Sequence, residues 1–182
     1  MNIGYACLLQ NDKNAKFKTL RLKNLNYDNL YKVINNNLNV LDYIIDYNIK
    51  NNIKLFRITS DLIPFNSMIT EIIDWQNLFK NKFNLIGNKI KNNHIRISFH
   101  TNHYTVLNSD KSKVVKNSII ELNHLNDLLS LLNTNTDCKI ILHIGGIYNN
   151  KKDAINRFII NQQYLNNIWK ICIIMYNFKL SF

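Results

Sequence analysis

The chain has 182 residues, 46% of them apolar, which is enough for one domain with a real core and excludes a disordered segment. Its formal charge of +11 suits a polyanionic partner such as nucleic acid, and suits equally the Lys- and Asn-rich composition of an AT-rich genome. Cys7, Cys138 and Cys172 form no C-x-x-C pair, so neither a disulfide framework nor a cysteine zinc site is expected. No stretch reads as a signal peptide or a membrane span, and an intracellular protein (cytoplasm, nucleus or virus-infected cell) that is not secreted is expected.

Residues 3–9 form the first apolar run of strand length. A helical stripe follows at Leu30, Ile34, Leu38, Leu41 and Ile45, with Asp28 near its start as a capping acceptor. The asparagine run at 35–37 is read as biased composition on exposed positions. A second strand run covers 54–59, then a stripe at Trp75, Phe79, Ile86 and Ile90. The third run, 95–100, precedes a stripe at Val115, Ile119, Leu122, Leu129 and Leu132, with Asp110 near its start. The fourth, 139–144, precedes Ala154, Phe158, Leu165 and Ile168, and a fifth strand is expected at 171–175. The strand runs are rich in Ile, Leu, Val and Phe, as expected for strands buried on both faces.

Repeated β-α units imply a parallel sheet with helices packed outside it. An open doubly wound sheet and part of a (β/α)₈ barrel both fit, and periodicity does not choose between them. A full barrel takes about 250 residues, so in the second case residues 1–182 are a single domain holding the first four to five β-α units.

Active groups in such folds cluster at the carboxyl ends of strands. His100 and His143 sit at two such ends, and neutral imidazole is a common metal ligand. Asp61 is the acid at a strand end, suited either to ligation or to capping the turn before Pro64. Gly145-Gly146 after the fourth strand suits a tight turn, or the close approach of a phosphate. Tyr5, Tyr104 and Tyr148 offer faces for base stacking, and Lys111, Lys113, Lys116, Lys151 and Lys152 line the same rim. No G-x-G-x-x-G, Walker loop or G-x-S-x-G elbow occurs. His94 and His124 fall elsewhere and are given no functional role.

Four blocks in order resemble the UV damage endonuclease family. They are Gly4-Tyr5-Ala6-Cys7, then Leu55-Phe56-Arg57-Ile58-Thr59-Ser60-Asp61-Leu62-Ile63-Pro64-Phe65, then Arg96-Ile97-Ser98-Phe99-His100 with Tyr104 and Leu107-Asn108-Ser109, and finally Leu142-His143-Ile144-Gly145-Gly146 with Tyr148 and Lys151. The resemblance implies a TIM-type barrel that holds a cluster of up to three divalent metal ions, manganese foremost. It implies nicking of double-stranded DNA on the 5′ side of pyrimidine dimers and 6-4 photoproducts. By position, His100 and His143 match metal ligands. Tyr5, His103 and Tyr104 match the DNA-probing surface, and Lys151 a phosphate contact. Arg57, Asp61, Asn108 and Tyr148 are site-lining candidates.

Two departures stand out. The family segment His-Pro-Gly-Gln-Tyr is here His100-Thr101-Asn102-His103-Tyr104. In the family the fifth strand ends in Glu-Asn-Asp, its Glu bridging two metals, and later strands supply an Asp, more histidines, a Lys and a last Glu, whereas here Ile173-Ile174 leads into Met175-Tyr176-Asn177. The sequence therefore reads as truncated after about the fifth strand. Three readings are carried forward: an active enzyme completed by a second polypeptide, a continuation or self-association; a non-catalytic remnant with residual DNA binding; and a sugar isomerase-like barrel. Half a barrel leaves two raw sheet edges, so low stability and self-pairing are expected.

Overall fold

The computed structural model describes residues 3–65, 69–135, 137–148 and 150–165, and the backbone of 171–174. Strands β1 (Gly4–Ala6), β2 (Leu55–Ile58), β3 (Arg96–His100), β4 (Lys139–His143) and β5 (Ile171–Ile174) form one sheet. Every neighbouring pair is parallel, and the spatial order is the chain order. That order decides between the two architectures. A doubly wound sheet reverses direction at a switch point; a barrel adds each strand beside the last. The chain is an α/β fold of the TIM-barrel type, represented by its first five strands.

The helices are α1 (Tyr27–Lys50), α2 (Trp75–Leu78), α3 (Lys80–Asn92), α4 (Ser112–Leu131) and α5 (Lys151–Gln162). The stripe expected from Trp75 to Ile90 is continuous in burial but broken in backbone: Phe79 ends α2 and starts α3. In α1 the stripe residues Leu30, Ile34, Leu38, Leu41 and Ile45 are all fully buried. Lys89 of α3 reaches across to Asp42 and Asp46 of α1 at 2.7 and 2.8 Å. Leu165 lies in a short 3-10 turn, while Ile168 and Met175 fall outside the described residues.

Several expectations need correction. The strands are not buried on both faces. Burial alternates along β2, β3 and β4, so Phe56, Ile58, Ile97, Phe99, Ile140 and Leu142 are sealed under the helices while their neighbours are partly open. Five strands do not close a barrel, and the inner face keeps contact with solvent. The caps differ too. Asn26, not Asp28, accepts the Asn29 amide at the start of α1, while Lys111, with no side-chain cap bond, stands where Asp110 was expected to serve α4. Nor is the 35–37 run simply exposed: Asn37 is fully buried. Its amide donates to Lys18 O (3.0 Å) and Leu62 O (3.1 Å), and its oxygen accepts from Lys18 N (2.8 Å). It ties two loops to α1, a role that a buried amide performs only when its groups are paired.

Candidate metal and nucleic-acid site

Alternation along the strands puts Arg57, Ser98, His100, Ile141 and His143 on the inner face of the sheet. A hollow of 330 Å³ on that face is lined by Gly4, Leu55, Arg57, Arg96, Ser98 and Ile141. At its carboxyl end the two histidines meet, with Nε2 of His143 2.8 Å from Nε2 of His100. The His100 Nδ1 lies 2.7 Å from the carbonyl of Thr101. A carbonyl only accepts, so Nδ1 carries the proton and the Nε2 lone pair of His100 faces its partner.

This arrangement fits one edge of a metal's coordination sphere. Two imidazole nitrogens about 2.0–2.1 Å from a tetrahedral cation lie roughly 3.3 Å apart, so this pair would open by about half an ångström to share one. A ligating imidazole ordinarily donates its other N–H to a carbonyl or carboxylate, as His100 does to Thr101. Desolvation, with the charges of His100, His103 and Arg57 beside it, holds His143 below its ordinary range and so favours the neutral form a cation needs. Among the described residues no third His, Cys, Asp or Glu joins the pair. Asp61 is exposed in the 3-10 turn Ser60–Leu62, and the capping there is done by Thr59, whose hydroxyl accepts the Asp61 amide.

Around the pair, two loops are built with care. The loop after β4 turns on Gly145, whose φ of 98° is costly for any residue with a Cβ. Fully buried Asn108 donates from its amide to Gly146 O at 2.6 Å, and its oxygen occupies the space where a Cβ on Gly145 would lie, 2.5 Å away. Arg157 of α5 donates to the Asn108 carbonyl (2.8 Å) and sits over the Tyr148 ring at 5.9 Å. Asn108 and Tyr148 thus shape the loop that follows His143. The loop after β3 presents His103 and Tyr104 to solvent, Tyr104 at 86% exposure. Lys111, Lys113, Lys116 and Lys152 are exposed on the same rim, because α4 and α5 start where β3 and β4 end. Lys151 opens α5 there, half-buried.

Tyr5 borders the same hollow along β1, but its side chain turns away from the histidines. Its ring packs on Phe56 (5.0 Å between centroids) and its hydroxyl donates to Asn48 near the carboxyl end of α1 (2.7 Å). Burial pushes that hydroxyl's pKa up to about 12. Since α1 runs back against the strands, Asn48 lies at the end of the sheet opposite the histidines, and the Tyr5 side chain does not reach the probing rim. Sequence reasoning missed Arg157 and Glu121. Glu121 gave one signal: it lies three residues after buried Ser118, on the inward stripe of α4.

No helix among the described residues is long and apolar enough to cross a membrane. The family model of the UV-endonuclease UvdE matches residues 1–182. The UV DNA damage endonuclease of Clostridium perfringens (strain 13 / Type A) is 39% identical over 182 residues, covering 100% of this chain and 44% of that protein. That of Bacillus cereus (strain B4264) is 35% identical over 131 residues, covering 72% of this chain and 41% of its own. The crystal structure of SacUVDE superposes with a TM-score of 0.89 at 36% identity, covering 95% of this chain and 60% of that one. The chain thus spans less than half the length of these curated relatives. A sequential parallel sheet, a histidine pair at its carboxyl rim and a match along the whole chain agree, and the chain belongs to the UV-endonuclease UvdE family.

Proposed function

We propose that this chain is part of an intracellular DNA repair endonuclease that binds a divalent cation, manganese foremost, and nicks duplex DNA on the 5′ side of UV photoproducts. The observation that carries the reading is the convergence of His100 and His143 through their Nε2 atoms at 2.8 Å. His100 and His143 would hold the cation, which when bound would lower the pKa of water and offset charge on the phosphate. The chain's own residues do the rest. His100 is kept in the ligating tautomer by Thr101 O, and Arg57 keeps positive charge beside His143. Lys111, Lys113 and Lys116 meet backbone phosphates, and Tyr104 offers a face to a base that a lesion has already unstacked.

Hard cations prefer oxygen ligands, so carboxylates from beyond the described residues complete the site, on a continuation, a second polypeptide or another copy. The test is a nicking assay on a duplex carrying one thymine dimer, with manganese and with a chelator. Manganese-dependent cleavage just 5′ of the dimer, lost in His100→Ala and His143→Ala, is expected. A folded chain that binds the duplex without cutting it would instead support the reading of a non-catalytic DNA-binding remnant.

A further inference from the structure

We infer that Glu121 is a positioning residue whose carboxylate braces the turn 102–105 and so holds His103 and Tyr104 out at the rim to read a duplex; this rests on the duplex-binding reading above. The turn is closed by the Thr105 amide donating to Asn102 O at 3.0 Å, which makes His103 and Tyr104 its two central residues. Both are exposed, while Thr101 and Thr105 are each only 2% exposed. The Thr101 amide extends the ladder to Ile141 O at 3.1 Å. Glu121 spans the two legs. Its Oε1 accepts from the Asn102 amide (3.2 Å) and from Asn102 Nδ2 (3.1 Å), and its Oε2 accepts from the Thr105 hydroxyl. One turn earlier on the helix, the Ser118 hydroxyl accepts the Val106 amide at 2.9 Å.

Three donors on one carboxylate are charge-assisted bonds, stronger than neutral ones. They tie the loop to a helix anchored by fully buried Leu122 and Leu125. The carboxylate keeps its negative charge beside a rim that carries Lys111, Lys113 and Lys116, so it opposes phosphate binding there and its place is accounted for by the loop donors it holds. The chain also carries Thr101 and Asn102 where the family segment has Pro and Gly, and Asn102 supplies two of the three donors. The brace restores by hydrogen bonding the stiffness that a proline ring otherwise gives. Two large side chains held ready cost less entropy to order when they meet a duplex.

The experiment uses the full chain and the variants Glu121→Ala, Glu121→Gln and Tyr104→Ala. One arm follows hydrogen exchange at the Asn102 and Thr105 amides. The other measures affinity for a duplex with one thymine dimer and for the same duplex undamaged. Glu121→Ala should speed both exchanges by about ten-fold, well beyond any change at core amides such as Leu122 and Leu125. It should also cut the dimer-over-undamaged ratio by about five-fold, although removing a negative charge raises affinity for any duplex. Glu121→Gln, which still accepts the Asn102 amide, should restore most of the ratio. Tyr104→Ala should lose the ratio with exchange unchanged. Unchanged exchange in Glu121→Ala overturns the inference, and so does a ratio that survives Glu121→Ala yet is lost in Tyr104→Ala. A wild-type chain with no dimer preference overturns the duplex reading and the inference with it, and the exchange arm separates that case from a missing brace.

Discussion

Along β3, Ile97 and Phe99 are fully buried beneath the helices, whereas Arg96, Ser98 and His100, each one residue away, stay exposed or partly exposed on the inner face. The same division runs through β2 and β4. The helix side is saturated with apolar contacts and holds the fold together. The inner side carries Arg57, His100 and His143, the proposed site, with little packing to lose. Because a strand's side chains alternate with period two, the two roles interleave within five residues.

Truncation on the two faces should therefore differ sharply. Phe99→Ala removes a fully buried ring and should cost about 3–5 kcal/mol in denaturant unfolding. Ser98→Ala, on the inner face, should stay within about 0.5 kcal/mol. Equal costs would mean that the inner face is packed after all.

The helix side also predicts acid sensitivity. His124 packs edge-on against Trp75, 5.3 Å between ring centroids, and burial lowers its pKa from 6.5 to about 4. The folded state keeps this imidazole neutral while the unfolded chain protonates it. Stability present above pH 6.5 is therefore lost as the pH falls through about 4, by about 3 kcal/mol in total. Unfolding curves of wild type and His124→Leu over that window check this, and the variant should show a flatter profile.

A smaller effect sharpens the boundary between the faces. Gly145→Ala would place a methyl against Asn108 Oδ1 at a φ of 98° and should cost about 1–2 kcal/mol. Asn108→Ala should instead free the Gly146 carbonyl and loosen the loop after His143, seen as faster exchange there. The smallest stability change is expected at the site itself. His100→Ala and His143→Ala should each shift unfolding by less than about 1 kcal/mol while removing the proposed metal binding.

How much of this was legible in the sequence follows from the same division. Strand runs and helical stripes depend on local period, and the observed strands lie within the expected runs; the four family blocks rest on resemblance. The choice of barrel over doubly wound sheet needed strand order, which periodicity does not encode. His100 and His143 were legible because each ends an apolar strand; that their Nε2 atoms meet depends on the register of β3 and β4. The partners of Asn37 and Glu121 were not legible, because they lie 16 to 25 residues away and no spacing rule names them, although the place of Glu121 on its helix was a hint. Tyr5 shows the opposite limit. Its motif matches the family, yet the register against β2 turns its ring toward Phe56 and away from the rim.

The most direct test of the account is a manganese titration of the full chain followed by paramagnetic broadening of its imidazole resonances. The account predicts that His100 and His143 broaden first and together, and that either alanine variant abolishes the effect at the other. Broadening confined to exposed His103 and His94, or spread evenly over all five histidines, would contradict the claim that the inner face is built to hold a metal.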